Sequence, residues 1–560
     1  MNINNGGQFL VPAGLSSRTA KTRMARVETE LRSELSQGTM ALRELGSLAV
    51  IWTAILGGVA FRWLNLSKQS LWWDEGFTVW TSGLALGRII PFARSDNQAP
   101  LYYLLQHGWG VLFGNSEFAL RALSALFGTL ALPVFYLLAK KVLKDGMAVA
   151  LAFWLFAFSM KQICYSREAR GYEAASFFAL LALYALVLFL EKQSAWAFVT
   201  VVLSSVLTLY LHNMMFFYLL ALDMVWLIYP CERVWSRRLR EMLLANVCMG
   251  ILYSPWVASL RTQVAAVAGN LYWVPRPTLR TVVATLRDTS GFDVYRLASS
   301  AQKFLPLPSR ILWDGVGVGL VVLCGALLAG GLWRVPQAER RKNLCFLGYC
   351  LLPIFSVFIL GQRMPLYIDR IFTTSSIAVP IILAFPLATA KGTRGKPLYA
   401  LLGLALAGVT AFSSLAFVRT GERWAKNGED WRGVIDTVLT VPETNRLVLF
   451  VPPAGEMFFD YYSRNFPATD TLVARAGLQE DFHARFPPPK SRIINENDVD
   501  RLKMLVESHN YLEIDLLLTH EVDPHGLVVN YLDHRFIRQE EPAPSGSQIR
   551  IIPFRALPQP

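Results

Sequence analysis

The chain has 560 residues, of which 53% are hydrophobic and 17% are charged, and its formal net charge is +13. Soluble globular proteins carry about 25% charged residues, so this composition excludes an ordinary soluble protein and indicates a helical membrane protein. The positive excess lies mostly in short turns between apolar runs, as in cytoplasmic loops, and we therefore expect no nucleic-acid partner.

The first 45 residues are polar and rich in arginine, and the first apolar run begins near Leu48. A cleavable signal would place its apolar run within about the first 30 residues. Residues 1–45 are therefore predicted to form a cytoplasmic tail that stays attached to the first span.

Apolar runs of roughly 20 residues predict about eleven transmembrane helices. The turns after the even-numbered runs carry lysine and arginine, for example at 140–144 and 233–240. By the positive-inside rule these turns are cytoplasmic, so the other turns face outside. The predicted spans are 47–64, 118–139, 146–163, 174–190, 195–211, 213–229, 242–260, 311–333, 344–361, 371–389 and 398–416.

Two of the outer loops, at 65–117 and 261–310, are long. The first contains amphipathic stretches at about 76–90 and 101–113, which are too short to span and are expected to lie along the membrane interface. The second is predicted to cover the outer site as a lid, because long ordered loops are often functional.

The composition becomes polar after about Phe417. An odd number of spans places residues 418–560 outside, where they are predicted to form a small α/β domain beyond a membrane domain at 46–417. Glu429–Arg432 and Phe458–Tyr462 either contact the acceptor or pack, and we favour packing. The predicted strands are 446–451, 514–519 and 549–554, and the predicted helix is 499–508.

The segment Leu71–Phe77 carries the adjacent acids Asp74 and Glu75 between aromatic residues. Ionisable groups at a bilayer are costly and point to function. Asp74 is the candidate general base for an acceptor hydroxyl, and Glu75 the candidate metal ligand or hydrogen-bonding partner. The alternative is a helix N-terminus at which the two acidic side chains interact favourably with the helix dipole.

A second element of the same loop is Asp96, followed by Tyr102 and Tyr103. Asp96 would add a further catalytic acid near Asp74, and the tyrosines would contact the acceptor or the sugar. The alternative is an interfacial helix that begins at a proline, with Asp96 as its cap.

Four further residues in the predicted outer segments are candidates for binding the donor phosphate. Arg167 and Arg170 are three residues apart, with Tyr172 after them, and Arg370 opens a later span. Arginine binds phosphate oxygens bidentately and stays charged, although arginines that merely reach the lipid headgroups look the same in sequence. His212 ends a span and would bind a metal or phosphate, or simply pack.

These elements, in this order, resemble the bacterial protein O-mannosyltransferase-like glycosyltransferases (glycosyltransferase family 39) of the GT-C superfamily, to which the lipid A aminoarabinose transferases are related. Asp74-Glu75 matches the acidic motif of the first outer loop. The segment from Ala99 to Arg121 looks like the family's "HPPLYY…FG.SEFALR" pattern, and Ser166–Tyr172 looks like "SREARMY". Tyr367–Arg370 loosely matches the later "Y..RY" element.

The resemblance implies an all-α GT-C fold in the bacterial inner (plasma) membrane. It also implies transfer of a sugar from a polyprenyl-phosphate donor to an acceptor hydroxyl at the outer face, with inversion. Asp74 would deprotonate the acceptor, and Arg167, Arg170 and Arg370 would stabilise the departing phosphate. The acceptor is a glycan, a lipid or a protein, and no cofactor is certain beyond a candidate divalent metal.

Two other functions stay open. A transporter or flippase of lipid-linked sugars would carry ionisable groups at mid-membrane on broken helices, whereas the charges here lie at the outer ends of the spans. A membrane-anchored binding protein would act through residues 418–560.

Overall fold

The computed structural model describes residues 45–557, apart from 97, 272–273, 292–334, 391–394, 422–428, 441–444, 466–473, 481–482, 484–485, 488–492, 508–510, 520–521 and 542–548. The predicted span 311–333 and nearly all of the predicted tail 1–45 lie outside the described residues.

The described part of the chain is mainly helical. We number its helices in chain order: α1 (Leu45–Trp63), α2 (Trp73–Gly83), α3 (Leu86–Ser95), α4 (Leu101–Phe113), α5 (Glu117–Leu143), α6 (Gly146–Ala157), α7 (Met160–Ser166), α8 (Tyr172–Lys192), α9 (Ala195–Leu211), α10 (Phe216–Ile228), α11 (Trp235–Asn270), α12 (Leu279–Ser290), α13 (Gln337–Gly361), α14 (Ala378–Thr389), α15 (Gly395–Ala416), α16 (Trp431–Thr440), α17 (Glu456–Tyr462), α18 (Glu496–Glu507) and α19 (Leu527–Asp533).

Ten of the eleven predicted spans coincide with apolar helices among the described residues. Seven of these helices are long and apolar enough to cross a membrane: α1, α5, α8, α11, α13, α14 with its preceding 3-10 turn, and α15. Helices α9 and α10 are apolar but shorter. The prediction of a polytopic all-α membrane protein is confirmed.

The predicted third span is broken rather than straight. Helices α6 and α7 meet at an angle of 44°. Ser159 caps the second of them by accepting a hydrogen bond from the Gln162 N–H, so the chain restarts its helix there instead of continuing it.

Helix α11 is longer than a bilayer requires. Its 36 residues extend roughly 54 Å at 1.5 Å per residue, against a hydrocarbon core of about 30 Å. Helix α11 is therefore long enough to extend past a bilayer, and its C-terminal part contacts the segment between α3 and α4.

The first outer loop is helical. The predicted stretch 76–90 is two helices, α2 and α3, because Leu84 and Ala85 between them have non-helical, extended backbone conformations. The predicted stretch 101–113 coincides with α4. These three helices follow α1 and carry Asp74 and Asp96.

The C-terminal residues build a five-stranded sheet in the order β2-β1-β3-β5-β4. Strands β2, β1 and β3 are parallel, and β5 and β4 run antiparallel to their neighbours. The predicted strands at 446–451, 514–519 and 549–554 are confirmed, whereas two short strands escaped prediction. The strands are β1 (Arg446–Val451), β2 (Ala474–Gly477), β3 (Glu513–Thr519), β4 (Phe536–Arg538) and β5 (Ile549–Ala556).

Side chains of the sheet alternate between two apolar cores, as the period of a strand requires. Val448 and Phe450 enter a core that also contains Leu71 and Val79 of the first outer loop. Leu447 and Leu449 enter the opposite core, with residues of α18 and α19. One face of the sheet is thus joined to the segment that carries Asp74.

Candidate active site

Asp74 lies in the first turn of α2, directly after the end of α1 and its connecting turn. Its side chain is 23% exposed. The carboxylate therefore keeps partial access to solvent, although the helix around it is largely buried.

Two arginines from distant loops meet this carboxylate. The Arg370 guanidinium forms an ion pair with Asp74 Oδ2, and Arg170 Nη2 lies 3.9 Å from the same oxygen. Arg170 also donates to the Asp74 backbone carbonyl at 3.2 Å and to the Thr78 hydroxyl at 3.3 Å. Three outer segments, after α1, between α7 and α8, and before α14, thus converge on one carboxylate.

Arg170 remains charged in this setting. Burial lowers its pKa, but the Asp74 carboxylate raises it, and the pKa of Arg170 lies well above its usual value. The Arg370 guanidinium stacks over the Trp72 ring, 5.3 Å from the ring centroid. Such stacking orients a guanidinium without neutralising it.

His212 lies beside these arginines, between α9 and α10. Its ring packs 5.3 Å from the Tyr172 ring, whose centroid lies 5.8 Å from Arg170 Cζ. Burial, together with the charges of Arg170 and Arg370, lowers the pKa of His212 to about 3. Nδ1 accepts a hydrogen bond from the Met214 N–H at 3.2 Å, so the neutral ring carries its proton on Nε2.

Glu75 faces away from Asp74 into the protein. Both its side chain and that of Arg121 are fully buried, and Arg121 holds it through two hydrogen bonds of 2.8 and 2.7 Å. The Ala169 N–H donates to Glu75 Oε1 at 2.9 Å. Glu75 therefore ties α2 to α5 and to the loop that carries Arg170, which is the hydrogen-bonding alternative of the two expectations for it.

Asp96 sits at the end of α3 and accepts a hydrogen bond from the Tyr103 hydroxyl at 3.4 Å. Its backbone carbonyl accepts from Gln263 of α11 at 2.7 Å. Gln263 donates to the Ala93 carbonyl as well, also at 2.7 Å. Sequence reasoning missed Gln263, which anchors the α3–α4 turn to the C-terminal part of α11.

Tyr102 and Tyr103 are both buried, at 4% and 2% exposure. The Tyr102 hydroxyl lies 2.7 Å from the Ser124 hydroxyl, and Ser124 in turn donates to the Arg170 carbonyl at 3.1 Å. Through Ser124, Tyr102 supports the backbone of the loop that carries Arg170, and contact of Tyr102 or Tyr103 with a sugar or acceptor stays a prediction.

Arg167 binds the end of α1. Its guanidinium donates to the carbonyls of Phe61 and Leu64 at 2.8 and 2.5 Å, at the end of α1. Such bonds satisfy carbonyls that a helix leaves without partners at its C-terminus. The two arginines three residues apart therefore have different surroundings.

A further buried cation lies near this end of the bundle. Lys161 of α7 is 2% exposed and forms an ion pair with Asp288 of α12. The Tyr367 hydroxyl donates to Thr285 of α12 at 2.9 Å. Helix α12 belongs to the loop predicted to act as a lid, and these contacts hold it against the bundle. No sequence pattern indicates this pairing, because 127 positions separate Lys161 from Asp288.

Among the described residues, no group of three or more histidines, cysteines, aspartates or glutamates is arranged to hold a metal ion. The other nitrogen of the neutral His212 ring, Nε2, carries the proton, and an N–H group suits an anion rather than a cation.

No protein-family model matches this sequence, and neither does any curated protein. ArnT from Cupriavidus metallidurans in the apo state superposes with a TM-score of 0.51 at 12% identity, over 92% of this chain and 99% of that chain.

Two further solved structures superpose less closely. ArnT from the same organism bound to undecaprenyl phosphate gives a TM-score of 0.48 at 13% identity, over 92% of this chain and 99% of that chain. Arabinofuranosyltransferase AftD from Mycobacteria gives 0.39 at 12% identity, over 92% of this chain and 40% of that chain. The match to apo ArnT shows that this chain, with its bundle of apolar helices and small C-terminal sheet, shares the overall fold of that protein.

Proposed function

We propose that this chain is a membrane glycosyltransferase that transfers a sugar from a polyprenyl-phosphate donor to an acceptor hydroxyl. The observation that carries the proposal is the meeting of Asp74 with Arg370 and Arg170 at one end of an ArnT-like helical bundle. A reaction that removes a proton and releases a phosphate needs a base and cationic groups close together, and these three residues supply one base and two cations.

In the proposed reaction the acceptor oxygen attacks the anomeric carbon in line with the departing phosphate. The acceptor proton passes to the Asp74 carboxylate. A carbon–oxygen bond to the acceptor forms, and the bond to the phosphate oxygen breaks with its electron pair staying on the phosphate. Attack from the side opposite the leaving group inverts the anomeric configuration.

The charge of the leaving group explains the paired arginines. A polyprenyl-phosphate sugar is a phosphodiester with one negative charge, and the released phosphate monoester gains a second. Arg170 and Arg370 would stabilise that added charge, with the His212 Nε2–H as a neutral donor beside them. Interactions that strengthen as charge develops are the ones that accelerate a reaction.

The ion pair between Asp74 and Arg370 also has a role in this cycle. In the protein without a bound donor, the Asp74 carboxylate is paired with the Arg370 guanidinium group. A bound donor phosphate would compete for that group and leave the Asp74 carboxylate free to accept the acceptor proton. The order of events would then be donor first, acceptor second.

The site is proposed to face the outside of a bacterial plasma membrane, with the N-terminus in the cytoplasm. The support is the positive-inside pattern, which puts lysine and arginine at the opposite ends of the spans. The C-terminal sheet, residues 446–556, lies on the same side as Asp74, since it shares an apolar core with Leu71.

The alternative of a transporter has less support. A broken span is present at α6–α7, and Lys161 lies in its second part. Its partner Asp288, however, belongs to α12, which packs at the same end of the bundle as Asp74. The charges thus gather near an outer surface rather than at mid-membrane, where transporters bind their substrates.

The test uses the purified full-length protein in lipid vesicles. It is offered undecaprenyl phosphate carrying glucose, mannose, arabinose or aminoarabinose, with a bacterial envelope extract as the source of acceptors. Release of undecaprenyl phosphate is measured, because every donor yields that product. We expect release from at least one donor, and a loss of at least 100-fold in Asp74→Asn.

Asp500→Asn is the matched control, because Asp500 is 66% exposed on α18. A folded Asp74→Asn protein that keeps the wild-type rate would remove the catalytic assignment. Movement of the intact lipid-linked sugar across the vesicle, without release of the phosphate, would favour the transporter.

A further inference from the structure

The backbone around Asp74 is held from the side of the C-terminal sheet as well as from the membrane bundle. The Trp73 N–H, directly before Asp74, donates to Glu429 Oε2 at 2.8 Å. The Leu71 N–H donates to the Tyr462 hydroxyl at 2.8 Å. Two amides next to the proposed base are thus bound by side chains that lie more than 350 positions later in the sequence.

Each of these acceptors is itself held in place. Glu429 Oε2 also accepts from the Trp431 indole N–H at 3.0 Å. The Tyr462 hydroxyl donates to Glu117 Oε1 at 2.6 Å, at the start of α5. The contact between the C-terminal residues and the first outer loop is therefore a connected network rather than two separate bonds.

Aromatic rings fill the space behind these hydrogen bonds. Trp431 and Phe458 stack with their centroids 4.2 Å apart and their planes 6° from parallel, and both are buried. The Trp73 ring lies 6.1 Å from each of them. Stacked rings of this kind form a stiff surface, because a buried aromatic side chain has little freedom to move.

Helix α2 lies directly on this surface at Gly76. A Cβ placed on Gly76 would stand 2.5 Å from Phe458 Cζ and 2.7 Å from Met457 Cε. A methyl group there would require the Phe458 ring and the Met457 side chain to shift, or α2 to move away from α17. The first turn of α2, which contains Asp74, thus packs directly against Phe458.

The opposite side of that turn is held by Arg121, which binds Glu75. Asp74 is left between the two anchors, with its carboxylate directed at Arg170 and Arg370. Small displacements of a reacting group are expensive, since a shift of about 1 Å costs roughly 100-fold in rate.

We infer that Glu429, Trp431, Phe458 and Tyr462, here called the docking cluster, are positioning residues that hold Asp74 at the reacting depth. The inference rests on the proposed function, because the catalytic role of Asp74 is part of that proposal. Its structural part, that the docking cluster orders the turn around Asp74, stands independently of turnover.

Phe458→Ala is the principal variant, and Phe554→Ala is its matched control. Both phenylalanines are fully buried against the sheet, but Phe554 belongs to the core on the face away from α2. Hydrogen exchange of the peptide covering residues 70–77 is measured in the full-length protein. The rate of undecaprenyl phosphate release and the affinity for undecaprenyl phosphate are measured in separate assays.

We expect Phe458→Ala to speed exchange at 70–77 at least tenfold and to lower kcat about tenfold, with affinity for undecaprenyl phosphate within twofold of wild type. Phe554→Ala should leave exchange at 70–77 unchanged. Equal effects of the two variants on exchange, or unchanged exchange in Phe458→Ala, would overturn the inference.

Gly76→Ala provides a second route if Phe458→Ala fails to fold. The added methyl group should lower kcat about tenfold, and Phe458→Leu in the same chain should recover at least threefold by removing the ring atoms that it meets. A fully active Gly76→Ala protein would contradict the inference. Asp74→Asn, assayed beside it, reports on the proposed function alone.

Discussion

The carboxylate of Asp74 and the guanidinium group of Arg370 form an ion pair although 296 positions separate them in sequence. The pair brings the start of the first outer loop to the start of α14. A phosphate would carry the same sign of charge as the carboxylate and would use the same guanidinium. Arg370 is therefore the residue whose replacement best separates donor binding from proton transfer.

We expect Arg370→Ala to weaken binding of undecaprenyl phosphate about tenfold, because one charge-assisted contact is lost. Arg370→Lys should recover only part of the loss, since an ammonium group cannot offer two parallel N–H donors. Quenching of tryptophan fluorescence by the added lipid measures the affinity. Arg237→Ala, at an arginine that is 51% exposed near the start of α11, serves as the control and should bind normally. Wild-type affinity in Arg370→Ala would contradict the assignment.

His212 predicts a dependence of stability on pH. In the folded protein its pKa is lowered from 6.5 to about 3, so the ring stays neutral while an unfolded chain takes up a proton below about pH 6.5. The unfolded state then binds more protons, and the free energy of unfolding falls as pH falls from 6.5 towards 3. The loss through this one residue is at most about 1.4 kcal/mol per pH unit.

Replacing the ring should remove that dependence. Thermal unfolding of His212→Gln in detergent, measured at pH 7 and pH 5, should show a smaller drop in Tm than the wild type. Identical drops in the two proteins would mean that His212 is protonated in the folded state or does not titrate in this window.

Much of the membrane fold was predictable because span length and the 3.6-residue period act locally. Apolar runs predicted ten of the described spans, and they placed α5 and α8 to within a few residues. The break between α6 and α7 was not foreseen, since one hydroxyl at Ser159 decides it. Short strands such as β4 offer too few residues for a pattern.

The roles of individual site residues were harder to predict than their location. Asp74, Arg170 and Arg370 were expected at one outer end, and the structure brings them into contact. Arg167 and Arg170 look equivalent in sequence. Their surroundings in the fold distinguish them, because Arg167 binds carbonyls at the end of α1 and Arg170 lies beside the Asp74 carboxylate. Gln263 and Lys161 carried no sequence signal, because their partners come from other elements.

The buried pair of Glu75 and Arg121 should contribute to stability rather than to chemistry. Removing one charge of a fully buried pair costs about 3–5 kcal/mol, because the other charge is left uncompensated. We expect Glu75→Gln to lower Tm clearly, and Glu75→Gln combined with Arg121→Met to recover part of it. Circular dichroism during heating provides the measurement. A Glu75→Gln protein with normal Tm and no activity would instead make Glu75 part of the catalytic machinery.

The ion pair between Lys161 and Asp288 should control how firmly α12 lies on the bundle. Lys161 is 2% exposed and Asp288 is 14% exposed. In Asp288→Asn the lysine would remain buried without its counter-charge, so the packed position of α12 becomes unfavourable and the helix should spend more time detached. Hydrogen exchange in the peptide 279–290 should then rise at least tenfold.

The exchanged pair Lys161→Asp with Asp288→Lys tests the charge pairing itself. It should restore much of the protection of 279–290, whereas either single change should not. If α12 were held only by its apolar residues Val282 and Leu286 and by the bond between Thr285 and Tyr367, all of these variants would exchange like the wild type. Because α12 packs against the 3-10 turn that contains Arg370, a detached helix should also raise the exposure of that site to water. Transfer of the sugar to water instead of to an acceptor, measured as release of undecaprenyl phosphate in the absence of acceptor, should therefore increase in Asp288→Asn.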